Sequence, residues 1–305
     1  MLAAVLAVLS LVAPAASESS AVQSSGGPSS SAVGGSSAVQ PQGGPSVSEG
    51  KVVRRSDGCR EIKNIQYVED GDAYRLERCR LDLCIPEKPG FKTVVWFHGG
   101  GLTSGGKHFI PLVDKSIAQV AVNYRLMSAE NGLAGADLIR DAAAAVAWTL
   151  KHIAEYGGDP KQVYVSGMSA GGYLTMMVGM APEYLAEHGF KPTDLAGLAP
   201  VSGQATKHFA VRAMSGDKDP QFAPKIDALA PLAHCSADLP PIVSICGQPP
   251  YEWKCRAEEN RLLIASCTAL GHKRARYVEL PLCDHGRAYS CAIPYVELFI
   301  LGWLP

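Results

Sequence analysis

The stretch from Val163 to Val178 constrains the chain more tightly than any other. An apolar β-type run, Val163-Tyr164-Val165-Ser166, leads into Gly167-Met168-Ser169-Ala170-Gly171-Gly172. Tyr173-Leu174-Thr175-Met176-Met177-Val178 can then continue as a helix. A G-x-S-x-G between a strand and a helix makes a sharp turn of the nucleophile-elbow kind. Side chains two residues either side of the serine would collide with each other or with neighbouring backbone, so those positions call for glycine. The turn leaves the Ser169 hydroxyl at a helix N-terminus, where developing negative charge is favoured. In a chain with 31 glycines such runs also arise by chance, so the motif needs support from elsewhere.

That support lies upstream. Thr93-Val94-Val95-Trp96-Phe97 reads as a buried strand, β-branched and aromatic, and it runs straight into His98-Gly99-Gly100-Gly101. An HGGG-type loop after a strand is suited to present backbone N–H groups to an oxyanion, because without Cβ atoms the backbone can approach a substrate oxygen.

With these two motifs in order, the chain resembles the α/β-hydrolases of the hormone-sensitive-lipase and carboxylesterase type, from about Tyr67 to the C-terminus. Further landmarks follow the same order: Val120 to Leu126, Asp141 to Trp148, Tyr156-Gly157-Gly158-Asp159-Pro160 before the elbow, and Glu279 to Gly286 at the end. The resemblance implies an α/β-hydrolase fold. Its central sheet is expected to be mostly parallel with an antiparallel N-terminal edge and helices on both faces, and no insertion in the sequence is long enough for a large lid.

The residue patterns fill this outline. Ile62 to Val68 and Arg75 to Ile85 read as two strands joined at Asp70-Gly71-Asp72. Val94 to Phe97, Ile117 to Tyr124, Val163 to Ser166, Leu195 to Val201, Pro241 to Cys246 and Arg276 to Leu280 read as the remaining strands. Asp137 to Glu155 reads as an Ala-rich amphipathic helix closed by Gly157-Gly158, and Ile293 to Trp303 as the closing helix. Strands alternating with helices predict a parallel sheet, with the ligand at the carboxyl ends of its strands. The segment from Pro200 to Leu239 is the place for a small cap. Its His208, Phe209, Arg212, Phe222 and His234 read individually as ordinary surface residues.

The chemistry follows from the motifs and the resemblance. Ser169 is the expected nucleophile, and a serine hydroxyl needs an adjacent base. The resemblance assigns that base to His285, in Asp284-His285-Gly286. The oxyanion donors would be the N–H groups of Gly100, Gly101 and Ala170. At the acid the sequence departs from the family pattern, which places an Asp a few residues after the strand ending near Cys246. Here the chain reads Gly247-Gln248-Pro249-Pro250-Tyr251-Glu252-Trp253. Glu252 is the nearest carboxylate and the expected acid. Glu258 reads as helical, Asp284 adjoins the base but as a neighbour points elsewhere, and Asp238 precedes its strand.

The expected activity is that of a serine carboxylic-ester hydrolase on small or short-acyl esters, with acetyl groups on carbohydrate as one substrate class. An amidase or peptidase on the same fold, or a non-catalytic hydrolase-fold binding protein, are the alternatives. The missing Asp is the only support for the last. No cofactor is required. A net charge of −1 without a basic run argues against nucleic acid as a partner. The nine cysteines show no Cys-x-x-Cys and no zinc-type spacing, which argues against a metal site.

The N-terminal region reads differently. Residues 1–16 form a short apolar run ending in small residues, as in a secretory signal peptide, although no Lys or Arg precedes it. The run is too short for a comfortable membrane span. Residues 17–50 are Ser/Gly-rich and cannot bury enough apolar surface to order themselves, so they read as a linker to a catalytic domain over 51–305. Secretion or a periplasmic location is the expectation, with the cytoplasm as the alternative. An exported chain can pair cysteines, and Cys79 with Cys84 and Cys283 with Cys291 lie nearest in sequence.

Overall fold

The computed structural model describes residues 52–54 and 59–304; the expected export segment and linker lie outside the described residues. The strands are β1 (Val52–Arg54), β2 (Arg60–Gln66), β3 (Arg80–Ile85), β4 (Phe91–Phe97), β5 (Ala118–Val122), β6 (Gly158–Met168), β7 (Gly197–Val201), β8 (Ile242–Gly247) and β9 (Ala275–Leu280). They form one sheet in the order β1-β2-β3-β5-β4-β6-β7-β8-β9. From β1 to β5 the pairings are antiparallel, and from β5 through β4 to β9 all are parallel.

The helices are α1 (Ala73–Arg78), α2 (Gly135–His152), α3 (Ala170–Met180), α4 (Pro182–Ala186), α5 (Phe209–Met214), α6 (Arg256–Ala269) and α7 (His285–Leu301). Strand β4 shows how the sequence builds the layers. Val95 and Phe97 join the core that α2 and α3 cover, while Val94 and Trp96 join the core that α7 covers. With both faces buried, the strand reads as a continuous apolar run rather than an alternating one. Helix α2 is rich in alanine, and Ala142 to Ala147 are all buried, which lets the helix lie close against the sheet.

Three expectations need correcting. Arg75 to Arg78 is not the start of a strand but the end of helix α1, whose N-cap Asp72 accepts a hydrogen bond from the Arg75 amide. One and a half turns are too few for a helical period to show, and Asp-Gly-Asp has the same composition as a hairpin turn. The closing helix starts at His285 rather than Ile293. Pro294 lies inside it, whereas a proline pattern favours a helix start at that point. In the segment between β7 and β8, His208 and Arg212 are buried rather than on the surface. The Arg212 guanidinium is held by Asp217 and by the carbonyls of Pro220, Gln221 and Ala223. That segment contains only the short helix α5 and a 3-10 turn, with no large lid.

The carboxyl ends of β4, β6, β7, β8 and the turn after β9 carry His98 to Gly101, Ser169, Ser202, Glu252 and His285 respectively.

Candidate active site

Ser169 sits between β6 and α3 with φ 57 and ψ −111, in the left-handed half of the map that residues with a Cβ avoid. The surroundings over-determine this conformation. Its amide donates to the Val201 carbonyl (2.8 Å) and its carbonyl accepts from the Tyr173 amide (2.9 Å). A Cβ on Gly171 would lie 2.0 Å from the Phe97 carbonyl oxygen, so the helix can approach β4 this closely only with glycine there.

His285 is the first residue of α7, and Asp284 caps that helix by accepting from the Arg287 amide at 2.8 Å. Asp284 is therefore engaged with its own helix, not with the imidazole. His285 Nε2 lies 2.9 Å from Ser169 Oγ, and His285 Nδ1 lies 2.6 Å from Glu252 Oε1. The other Glu252 oxygen accepts from Ser202 Oγ (2.7 Å) and from the Gly247 amide (3.2 Å), while the Trp253 amide donates to Oε1 (2.8 Å). Burial pushes the Glu252 carboxyl up. The His285 hydrogen bond and charge, the Ser202 hydroxyl and the Trp253 amide outweigh it and hold the group at about 2. Glu252 is thus an anion at neutral pH, aimed at the His285 ring nitrogen that faces away from Ser169.

Glu252 lies five residues beyond the end of β8 because the loop turns back on itself. The Tyr251 and Glu252 amides both donate to the Gln248 carbonyl. Gln248 also stitches this loop to the turn before His285. Its amide donates to the Cys283 carbonyl, and its side-chain oxygen accepts from the Leu282 amide. Neither Gln248 nor Ser202 was singled out from the sequence. Ser202 does carry one signal, a position just past the end of a parallel strand; Gln248 carries none beyond the loop it sits in.

The HGGG loop lies against Ser169. A Cβ built on Gly99 would be 3.6 Å from Ser169 Cβ. Gly100 has φ +107 and its carbonyl accepts from the Thr103 and Ser104 amides, which sets the turn through Gly100 and Gly101. Ala170 opens α3, so its N–H has no carbonyl of its own helix to bond. His98 shapes this loop from below. Its Nδ1 donates to the Gly99 carbonyl (2.6 Å) and its ring stacks on Tyr124 (4.4 Å), whose hydroxyl donates to the His98 carbonyl. Burial keeps His98 neutral, lowering it to about 4, with the Gly99 bond only partly opposing.

Aromatic rings cluster beside His285. Trp253 stacks on His285, and Phe209 and Phe222 lie 6.4 and 5.6 Å from the indole. The Phe209 ring also sits against Gly101. Among the described residues no group of three or more His, Cys, Asp or Glu is placed to hold a metal ion. Of the cysteines, Cys283 lies beside Cys291 and Cys235 beside Cys267, while Cys79 lies beside Tyr67.

Comparison with known proteins agrees with this architecture. The family described as BD-FAE matches residues 81–188. The chain is 27% identical over 249 residues to a probable carboxylic ester hydrolase, LipM, of Mycobacterium tuberculosis, covering 73% of this chain and 55% of that protein. It is 28% identical over 200 residues to a probable isoprenylcysteine alpha-carbonyl methylesterase, ICMEL1, of Arabidopsis thaliana, covering 57% of this chain and 42% of the relative. The chain therefore spans about half the length of the curated relatives it matches. Among solved structures, a truncated carbohydrate esterase from gut microbiota superposes with a TM-score of 0.62 at 17% identity, covering 80% of this chain and 95% of that one. The apo form of Thermogutta terrifontis esterase 2 gives 0.59 at 22% identity, covering 86% and 98%. The sheet, the elbow and these likenesses define an α/β-hydrolase fold. Within that fold the sequence relatives that the chain matches are ester hydrolases, and it is similar to them.

Proposed function

We propose that the protein is a serine carboxylic-ester hydrolase acting on small or short-acyl esters. The observation that carries this reading is the unbroken hydrogen-bond run from Ser169 Oγ through His285 to a buried, ionised Glu252. His285 Nε2 takes the Ser169 proton as Oγ attacks the ester carbonyl. The Gly100, Gly101 and Ala170 amides receive the tetrahedral oxyanion, and Glu252 stabilises the imidazolium that forms. His285 returns the proton to the leaving alcohol, leaving an acyl-enzyme. Water then attacks, with His285 again as base.

Acetyl groups on carbohydrate are the favoured substrate class. Two features support it: the short segment between β7 and β8, which offers no long apolar cover for an acyl chain, and the aromatic rings beside the base, which suit a sugar face. Among the described residues no helix is long and apolar enough to cross a membrane. The signal-like residues 1–16 support export.

The test is fluorophosphonate labelling together with hydrolysis of p-nitrophenyl esters. The parent should label on Ser169 and cleave acetate or butyrate with higher kcat/KM than a ten-carbon ester. Ser169→Ala should stay folded and lose on the order of 10³-fold or more in turnover. Near-parental hydrolysis by S169A, or no labelling of the parent, would overturn the assignment.

A further inference from the structure

The geometry around the base points to one more working residue. The Trp253 and His285 rings are stacked almost parallel, with centroids 3.7 Å apart and an interplanar angle of 13°. The same tryptophan donates its backbone amide to Glu252 Oε1, the oxygen that His285 Nδ1 faces. One residue therefore fixes the imidazole twice, in its plane through the indole and in its edge direction through the carboxylate. Phe222 and Phe209 stand against the indole and limit its rotation. Trp253 is 39% exposed, so core packing alone does not account for its placement.

We propose that Trp253 is a positioning residue for the base: its indole face holds the His285 ring in line with Ser169 and favours that ring when it carries the serine proton, by a cation–π attraction. The proposal rests on the reading of Ser169 and His285 given above. A neutral imidazole gains only dispersion from the stack. An imidazolium also meets the negative face of the indole, the strongest of the aromatic faces for a cation. The gain arises only while the proton is in transit, so it lowers the barrier rather than tightening substrate binding. Its size corresponds to about 2- to 30-fold in kcat.

Other charges act on the ring as well. From the loop after β8 it faces Glu252, with Arg256 Cζ 5.8 Å from the indole centroid. On its own element Asp284 precedes it, with Arg287 beside Asp284. From the elbow it faces the Ser169 hydroxyl. A test therefore has to weaken the indole face without moving these groups.

Fluorinated tryptophans do this, since each fluorine withdraws π-density and leaves the ring shape nearly unchanged. The His285 ring resonances, assigned by their loss in His285→Gln, are followed by NMR through a pH titration of the full chain. Their midpoint should step to lower pH from tryptophan to mono-, di- and trifluorotryptophan, and Trp253→Phe should fall between the extremes. In Trp253→Phe protein the same analogues should produce no step, which isolates Trp253 from the other three tryptophans. The acidic limb of kcat/KM should move the same way, with kcat falling and KM nearly constant. A ring that merely kept water away would give the opposite sign in Trp253→Leu, because hydration favours the charged form. An unmoved or upward midpoint across the fluorinated series overturns the proposal. A downward series in a protein that neither labels with fluorophosphonate nor cleaves esters would leave the stacking standing and remove the hydrolase reading.

Discussion

The elbow and the loop that carries Glu252 supply the two ends of one hydrogen-bond run, yet they are built by opposite means. Around Ser169 every residue from Val163 to Met180 is buried, and backbone contact fixes the turn: Gly171 against Phe97, Ser169 N against Val201 O. Around Glu252 the loop is half open. Tyr251 is 51% exposed and only the carboxylate is buried, held by hydrogen bonds from Ser202, Gly247, Trp253 and His285. Backbone sterics permit few residue types, so the elbow leaves a motif. Side-chain hydrogen bonds accept many loop lengths, so Glu252 leaves only a location.

The contrast can be broken at either end. The largest effect belongs to the elbow. Gly171→Ala would put a Cβ into the Phe97 carbonyl and should cost on the order of 3 kcal/mol or more, lowering the thermal midpoint by roughly 6–12 °C and abolishing Ser169 labelling. A midpoint within a degree of the parent would mean that the turn is not sterically dictated.

Next comes Glu252→Gln. It keeps the shape and removes the charge, so the fold should persist while kcat falls by about 10²- to 10⁴-fold with KM little changed. A pH signature accompanies it. The Glu252 carboxyl lies at about 2 in the folded chain against an ordinary value of 4.5. A depressed carboxyl contributes stability that is fully present above the unfolded value and lost as pH falls through the folded one. The midpoint gap between parent and E252Q should therefore be full at pH 6 and close between about pH 4.5 and 2. A gap that widens on acidification would sink the electrostatic account of this loop.

Ser202→Ala should have the smallest effect. One of several donors to the carboxylate is lost, costing about 1–2 kcal/mol of stability and roughly 10-fold or less in kcat. A loss as large as that of E252Q would show that a single bond, not the set, holds the Glu252 carboxylate.

The same contrast explains how much was legible in the sequence. The parallel strands stood out as unbroken apolar runs because both their faces are covered, and the turns carrying Ser169 and the HGGG loop stood out because glycine is compulsory there. Glu252 could be named only as the first carboxylate on the correct loop, since the folding-back at Gln248 that brings it to His285 depends on backbone bonds without a residue signature. Trp253 carried no signal at all: a tryptophan beside a carboxylate reads the same whether it faces solvent or a base. Helix α1 was lost to brevity and the start of α7 to Pro294, both cases of tertiary packing prevailing over local preference.

Asp141 is completely buried on α2. It accepts from Arg125 through Nε, Nη2 and the backbone amide, and from Arg75 Nε on α1. One carboxylate thus ties together α1, the segment after β5 and a core helix, positions up to 66 apart in sequence. Freeing α1 would strand a buried anion with one of its two cations gone, so the antiparallel margin has no inexpensive way to peel off by itself. Its opening is coupled to that of the core, and its amides should exchange with solvent on the slow clock of global unfolding rather than the fast one of a frayed edge.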